Sequence, residues 1–285
     1  MITGTTKILG VIGDPVEHSL SPVMHNAALQ QLGADYVYVA LPIQSHDLTT
    51  ALAGLATTRI VGFNVTIPHK QAIMPLLQDI SPEARAVGAV NTVWRTDQGW
   101  SGTNTDVAGF IAPLRSLGSW EGKIAVVLGN GGAARAVVAG CAQLGFGAVQ
   151  VLGRNVQKLD AFQQSWVSSP LGPPLSVHPL TDLAKVLPRA DLIVNTTPIG
   201  MYQTAGESPV DEATLSCANT PAVAYDLIYT PRPTQFLRLA AERGLATIDG
   251  TEMLVQQGAA ALELWLHQPV PVDTMRQALL HQLTR

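Results

Sequence analysis

Apolar and polar positions along this chain switch repeatedly between two periods. Short Val/Ile-rich runs at 8–12, 36–40 and 60–67 predict buried strands, and stretches at 22–32, 45–56 and 68–77 carry helical patterns. The segment AVNTVWRTDQGWSG (89–102) predicts a strand pair turning at Asp97–Gly99, followed by a helix over 105–117. At GSWEGK (118–123) the pattern breaks. A second alternating series begins at Lys123, with strands at 124–128, 149–152, 191–195 and 223–227 and a helix at 133–144. The Pro/Gly/Ser-rich stretch 168–174 predicts a loop, and the last helix, 251–267, leaves the second series. The expectation is an α/β protein of two domains, divided within 103–122.

Composition narrows the class. The chain has 285 residues, 47% apolar and 13% charged, which suits globular domains with sizeable cores. The net charge of −4 comes without any basic block, so a nucleic-acid partner is not expected. Cys141 and Cys217 form no metal or redox motif and fit a reduced, cytoplasmic compartment. The N-terminus MITGTTKILG lacks a basic region followed by an apolar stretch, so no signal peptide is expected. The most apolar zone, 123–153, is interrupted by Asn130, Arg135 and several glycines, which argues against a membrane span. The histidines show no metal-ligand spacing, and no metal is expected.

Candidate chemistry begins at IAVVLGNGGAARAVVAG (124–140). Gly129-x-Gly131-x-x-Ala134 lies between a predicted strand and a predicted helix, the context in which a glycine turn binds a dinucleotide. Gly129 allows a tight turn, Gly131 lets backbone approach a pyrophosphate, and Ala134 allows close helix packing. The next strand ends VLGRNVQK (151–158), with no acid until Asp160. An acid there usually bonds the ribose hydroxyl of NAD. Arg154 instead suits a 2′-phosphate, with Lys158 adding charge and Asn155 a neutral hydrogen bond, so NADP is preferred over NAD. The alternative for Arg154 and Lys158 is a solvated surface.

FNVTIPHK (63–70) raises a second question. Alternation sends Phe63, Val65 and Ile67 to one side and Asn64 and Thr66 to the other. Pro68 can open a helix, which puts Lys70 in the first turn, where the helix dipole disfavours a cation. Either an anionic or electron-rich group sits above Lys70, or the lysine simply reaches solvent. Asp106, in SGTNTDVAGF (101–110), either caps a helix or meets Lys70 to form a proton donor–acceptor site. In HSLSP (18–22), Ser21 is a natural helix cap, and Ser19 and Ser21 together could hold a carboxylate. Gln257 is a polar residue on a face shared with Met253, Ala260 and Leu264; it reaches a ligand or a neighbouring backbone.

These segments together resemble the shikimate dehydrogenase family over almost the whole chain. The motifs are GVIGDPVEHSLSPVMHNA (10–27), FNVTIPHK, AVNT (89–92), GTNTD (102–106), LGNGGAARA (128–136), NTTPIGM (195–201), YDLIYTPRPT (225–234) and MLVQQG (253–258). The resemblance implies an N-terminal α/β substrate domain with a mainly parallel sheet (1–104 and 250–285) and a Rossmann-type NADP domain (105–249). It implies NADPH-dependent reduction of 3-dehydroshikimate to shikimate, with Lys70 and Asp106 as the catalytic pair. Ser19 and Ser21 would bind the shikimate carboxylate, and Asn64, Thr66, Asn91, Asp106 and Gln257 the ring hydroxyls, with Tyr229 lining the site. NADP would lie on Gly129, Asn130, Gly131, Gly132, Ala133 and Ala134, with Arg154 and Lys158 at its phosphate and Thr197 and Met201 along its other side. Family members occur as monomers and homodimers. The chain departs from the family pattern at Asn130, where alanine is common, at Gly153-Arg154-Asn155, where Asn-Arg-Thr is usual, and at Glu252, where glycine is frequent.

Overall fold

The computed structural model describes residues 2–284. The chain divides into two compact units, Met1–Gly109 with Leu254–Arg285, and Phe110–Met253. Each contains a six-stranded sheet.

The first unit runs β1 (Lys7–Gly13), α1 (Ser21–Gln31), β2 (Tyr36–Pro42), α2 (Leu48–Leu55), β3 (Ile60–Val65), α3 (His69–Ala72), β4 (Asp79–Ile80), α4 (Pro82–Val87), β5 (Thr92–Thr96) and β6 (Gly99–Thr103). Its sheet order is β2-β1-β3-β5-β6-β4. Strands β2, β1 and β3 are parallel, whereas β5 runs antiparallel to both β3 and β6. The alternation of β1 sorts its side chains. Leu9 and Val11 pack with Met24, Leu29, Val255, Leu262 and Trp265, while Ile12 joins Leu48, Leu52, Phe63 and Val93 on the opposite face. Burying both faces explains the near-continuous apolar run of this strand.

Two predicted elements are shorter than expected. The helical pattern of 68–77 resolves into the four-residue α3 and a separate 3₁₀ turn at Met74–Leu76. Pro75 lacks the N–H that a continuing helix needs, which accounts for the break. Strand β3 stops at Val65, so the alternation does not reach Ile67, which is 60% exposed.

The second unit is a parallel α/β sheet. It contains β7 (Ile124–Leu128), α5 (Asp106–Arg115, which begins in the first unit), α6 (Gly132–Gln143), β8 (Ala148–Gly153), α7 (Val156–Gln164), β9 (Leu175–Pro179), α8 (Leu183–Val186), β10 (Leu192–Asn195), α9 (Glu212–Leu215), β11 (Val223–Asp226), α10 (Gln235–Glu242) and β12 (Ala246–Ile248). The strand order is β12-β11-β10-β7-β8-β9, a doubly wound Rossmann arrangement that reverses direction between β7 and β10. Such a reversal opens a crevice at the carboxyl ends of the two strands. Val126, Leu128, Ile193 and Ala224 pack one face against Leu183, Phe236, Leu237 and Ala240. The chain returns to the first unit through α11 (Thr251–Leu266) and ends in α12 (Val272–Leu283).

The buried stripe of α11 differs from the expected one. Val255, Gly258, Ala259, Leu262 and Trp265 form it, whereas Ala260 and Leu264 are only half-buried. Gly258 lets the helix approach α1, because a Cβ there would lie 2.4 Å from Met24 Cε. Gln257 is still buried, and it bonds within a polar group of the first unit.

Candidate active site and dinucleotide turn

In the first unit, polar residues from four separate segments meet. Lys70, in α3, donates from Nζ to Asp106 Oδ2 at 2.5 Å. The side chains of this pair are 15% and 6% exposed, so the ion pair is largely removed from water. Asp106 is the first residue of α5, but it does not cap the helix. That role belongs to Asn104, whose Oδ1 accepts from the N–H groups of Asp106 at 3.0 Å and Val107 at 3.3 Å. The cap leaves both carboxylate oxygens of Asp106 for side-chain donors.

Asn91 takes the second oxygen, donating from Nδ2 to Asp106 Oδ1 at 2.8 Å. The same nitrogen faces Thr105 Oγ1 at 3.0 Å and Gln257 Oε1 at 3.3 Å. Asn91 Oδ1 accepts from Thr105 N at 2.7 Å and Thr92 Oγ1 at 3.0 Å. Gln257 also donates to Leu254 O at 2.7 Å. Gln257 thus bonds the backbone of its own helix and borders the polar group. Asn64 Nδ2 donates to Asn91 O and to Thr92 Oγ1, both at 3.1 Å. A network that satisfies its members this fully holds each side chain in one orientation.

Backbone pairing explains why these residues converge. Lys70 O accepts from Val90 N at 2.8 Å, and Asn91 N donates to Thr103 O at 3.1 Å. The segment around Asn91 is thereby pinned between α3 and the end of β6. Thr66 follows β3, and its N–H bonds Ile12 O at 2.9 Å at the end of β1. A Cβ on Gly13 would lie 2.4 Å from Thr66 Cγ2, so glycine is required for this approach. Ser21 is the first residue of α1 and not its cap; Leu20 holds the cap position and makes no side-chain cap bond. Ser19 Oγ accepts from Ser21 N at 3.3 Å, while the Ser21 hydroxyl lies beside that of Tyr38.

Sequence reasoning missed Tyr38, Thr92, Asn104 and Thr105 as members of this network. Asn104 carried a usable signal, an asparagine just before a helix start. Tyr38 carried none, because a tyrosine in a strand reads as packing.

The second unit holds the glycine turn. Gly129 follows β7 with φ +105°, a conformation open to glycine. A Cβ there would also lie 2.6 Å from Thr196 Oγ1, so the loops after β7 and β10 touch at the reversal point. Asn130 is half-buried, Gly131 caps α6 in an extended conformation, and a Cβ on Gly131 would meet nothing within 4 Å. Gly132 and Ala133 open α6, and Ala134 is fully buried. Open space above a helix N-terminus, framed by backbone N–H groups, fits a pyrophosphate.

Arg154 and Lys158 are exposed at the end of β8 and the start of α7. Asn155 caps α7 by accepting from Lys158 N at 2.9 Å. Two of the departures from the family pattern face one another: a Cβ on Gly153 would lie 3.6 Å from Asn130 Oδ1.

Thr197 donates from N and Oγ1 to Asn195 Oδ1, at 3.0 and 2.7 Å. Asn195 is fully buried and passes a bond to Asp226 Oδ1 at 3.0 Å. Asp226 also accepts from Ile228 N and Thr234 Oγ1, which ties down the loop that carries Tyr229. Burial pushes its carboxyl up to about 6, against the lowering effect of these bonds. Met201 follows Gly200 (φ +110°), and its carbonyl accepts from Thr204 Oγ1 at 2.9 Å. Tyr229 stands in the second unit.

Among the described residues, no His, Cys, Asp and Glu group is arranged to hold a metal ion, and no helix is long and apolar enough to cross a membrane.

One unit carries a buried ammonium–carboxylate pair in a polar network, and the other a Rossmann sheet with a glycine turn. Together they define a pyridine-nucleotide-dependent oxidoreductase. The comparisons with known proteins narrow this class. Residues 11–93 match the model of the shikimate dehydrogenase substrate binding domain, and 250–280 that of the shikimate 5'-dehydrogenase C-terminal domain. A shikimate dehydrogenase (NADP(+)) of Trichormus variabilis is 62% identical over 99% of both chains. The chain belongs to the shikimate dehydrogenase family.

Solved structures agree. A shikimate dehydrogenase in complex with NADP+ superposes with a TM-score of 0.89 at 37% identity, covering 100% of this chain and 98% of the other. The enzyme of Thermus thermophilus, in complex with NADP(H) and shikimate, gives 0.83 at 34% identity over 97% and 99%. Quinate dehydrogenase from Corynebacterium glutamicum, in complex with NAD, gives 0.87 at 29% identity over 97% and 99%. The fold therefore serves more than one polyol and more than one nicotinamide cofactor.

Proposed function

We propose that this chain catalyses the reversible, NADPH-dependent reduction of 3-dehydroshikimate to shikimate, in the route to aromatic amino acids. Residues 1–104 with 250–285, joined by Asp106 and Tyr229, bind the substrate, and the rest of 105–249 binds NADP. The carrying observation is the buried Lys70–Asp106 pair, whose carboxylate is held at its other oxygen by Asn91.

Bound NADPH supplies a hydride to the carbonyl carbon. Lys70 stabilises the oxygen as it becomes an alkoxide and supplies its proton, directly or through water. Asp106 keeps the ammonium aimed. Ser19 and Ser21 hold the substrate carboxylate; Asn64, Thr66, Asn91 and Gln257 hold the ring hydroxyls, with Tyr229 lining the site. Gly129–Ala134 cradle the pyrophosphate, Arg154 and Lys158 take the 2′-phosphate, and Thr197 and Met201 border the nicotinamide side. The open space at Gly131 and the exposed guanidinium of Arg154 support the NADP assignment. The two free cysteines support a cytoplasmic location, and the enzyme works as a monomer or homodimer without nucleic acid or membrane.

The test is a spectrophotometric assay with shikimate or quinate and NADP or NAD. Turnover highest with shikimate and NADP supports the reading; faster turnover with quinate and NAD overturns it.

A further inference from the structure

We infer that Tyr38 is a positioning residue of the substrate site: its phenol sets which way the Asn64 amide points, so that Asn64 meets the substrate only as an acceptor. This rests on the proposed role of Asn64 in holding a ring hydroxyl.

The polarity of the network follows from its fixed ends. The carbonyl oxygen of Asn91 can only accept, so the Asn64 atom 3.1 Å away must be the amide nitrogen. The second hydrogen of that nitrogen goes to Thr92 Oγ1. Asn64 Oδ1 then faces Tyr38, whose hydroxyl must donate, at 2.7 Å. Both amide hydrogens are consumed inside the protein. One lone pair of Oδ1 is the bonding capacity that remains, and it can receive a hydroxyl but not a carbonyl or ether oxygen. Burial pushes the Tyr38 phenol well above its ordinary value near 10, so it stays a neutral donor.

Tyr38 is held by more contacts than packing in a strand requires. Asn26 binds its backbone on both sides, donating to Tyr38 O at 2.8 Å and accepting from Tyr38 N at 2.9 Å. Its ring stacks on the buried His25 at 4.1 Å and 5°, and Trp265 leans on both rings at 6.2 and 6.1 Å. Trp265 is itself fixed by a bond to Val93 O at 3.0 Å. Gly62 makes that bond possible, since a Cβ there would lie 2.2 Å from Trp265 Nε1. Three elements thus converge on one phenol, and its single proton goes to Asn64.

The variant Tyr38→Phe keeps the ring and its stack while removing the hydroxyl. Without that donor, the Asn64 oxygen loses its partner and the amide can reorient. The expected result is a KM for shikimate raised about three- to tenfold, the loss of one oriented hydrogen bond, with kcat changed less than threefold. In an Asn64→Ala background the same substitution should change KM less than about twofold, the remainder coming from its contact with the Ser21 hydroxyl. Amide exchange supplies a readout that needs no turnover: the Asn64 side-chain protons should exchange at least tenfold faster in Tyr38→Phe. Unchanged KM and unchanged exchange in Tyr38→Phe, or an equal KM effect with and without Asn64, overturns the inference. A wild type that fails to oxidise shikimate, with the exchange result as expected, counts instead against the proposed function.

Discussion

Replacing Asp106 by asparagine changes one atom and disturbs two bonds. The carboxylate accepts Lys70 Nζ at 2.5 Å on one oxygen and Asn91 Nδ2 at 2.8 Å on the other. An asparagine offers one oxygen and one NH₂ in the same places, so one of these donors must face another donor. Asn91 cannot turn to accommodate it, because Asn91 Oδ1 is held by Thr105 N and Thr92 Oγ1. Lys70 also loses its counter-charge. Breaking a fully buried pair costs about 3–5 kcal/mol. The Lys70 side chain is 15% exposed, and water reaching the ammonium reduces the loss to about 2–3 kcal/mol. That corresponds to a melting temperature lower by about 3–5 °C. The effect on chemistry is separate and larger. A misaimed proton donor forfeits about 10²–10⁴ in kcat, which is about 3–5 kcal/mol of barrier. Calorimetry gives the first quantity, and NADP reduction with saturating shikimate gives the second. A folded Asp106→Asn protein with kcat within tenfold of wild type would refute the catalytic assignment. An unchanged melting temperature would refute the energetic reading of the pair.

Other expectations follow from single positions. Arg154→Ala should raise the KM for NADP about tenfold or more and leave that for NAD nearly unchanged; steady-state kinetics with both cofactors decides it. Gly129→Ala places a Cβ at φ +105° and 2.6 Å from Thr196 Oγ1, and should cost about 1–3 kcal/mol in denaturant unfolding while weakening NADP binding. Burial lowers His25 to about 3, below its unfolded value near 6.5, so the unfolded chain binds the extra proton as pH falls. Stability should therefore drop by about 2 kcal/mol between pH 6.5 and pH 5 from this group, and His25→Phe should abolish that slope. Asp226, raised to about 6, acts in the opposite sense: its stabilisation grows as pH falls through 6 and is lost above it, so urea titrations of Asp226→Asn should show a steeper acid loss than wild type.

Local pattern carried most of the architecture. The runs at 8–12, 124–128 and 223–227 are strands because their continuous apolar character matches burial on both sheet faces. No element is predicted at 156–164, 235–242 or 272–283, and all three are helices in the structure. In α7 and α12 the buried stripe is narrow, Leu159 and Phe162 in one and Met275 and Leu279 in the other, whereas α10 gathers Phe236, Leu237 and Ala240 on one face, a helical period that the chain does carry.

The glycine turn, the arginine after β8 and the lysine after FNVTIP were all legible in the chain, because each depends on neighbours within a few residues. The alternatives left open at Ser21, Asp106 and Gln257 were not decidable there. Lys70 and Asp106 lie 36 residues apart, and Asn91 and Gln257 lie 166 apart. Periodicity along a strand or helix records which side is buried, but not which distant polar group waits on that side. Strand order and the return of α11 to the first unit decide that pairing. They turned Asp106 from a possible helix cap into the partner of an ammonium, and Tyr38 from a core tyrosine into a donor to Asn64.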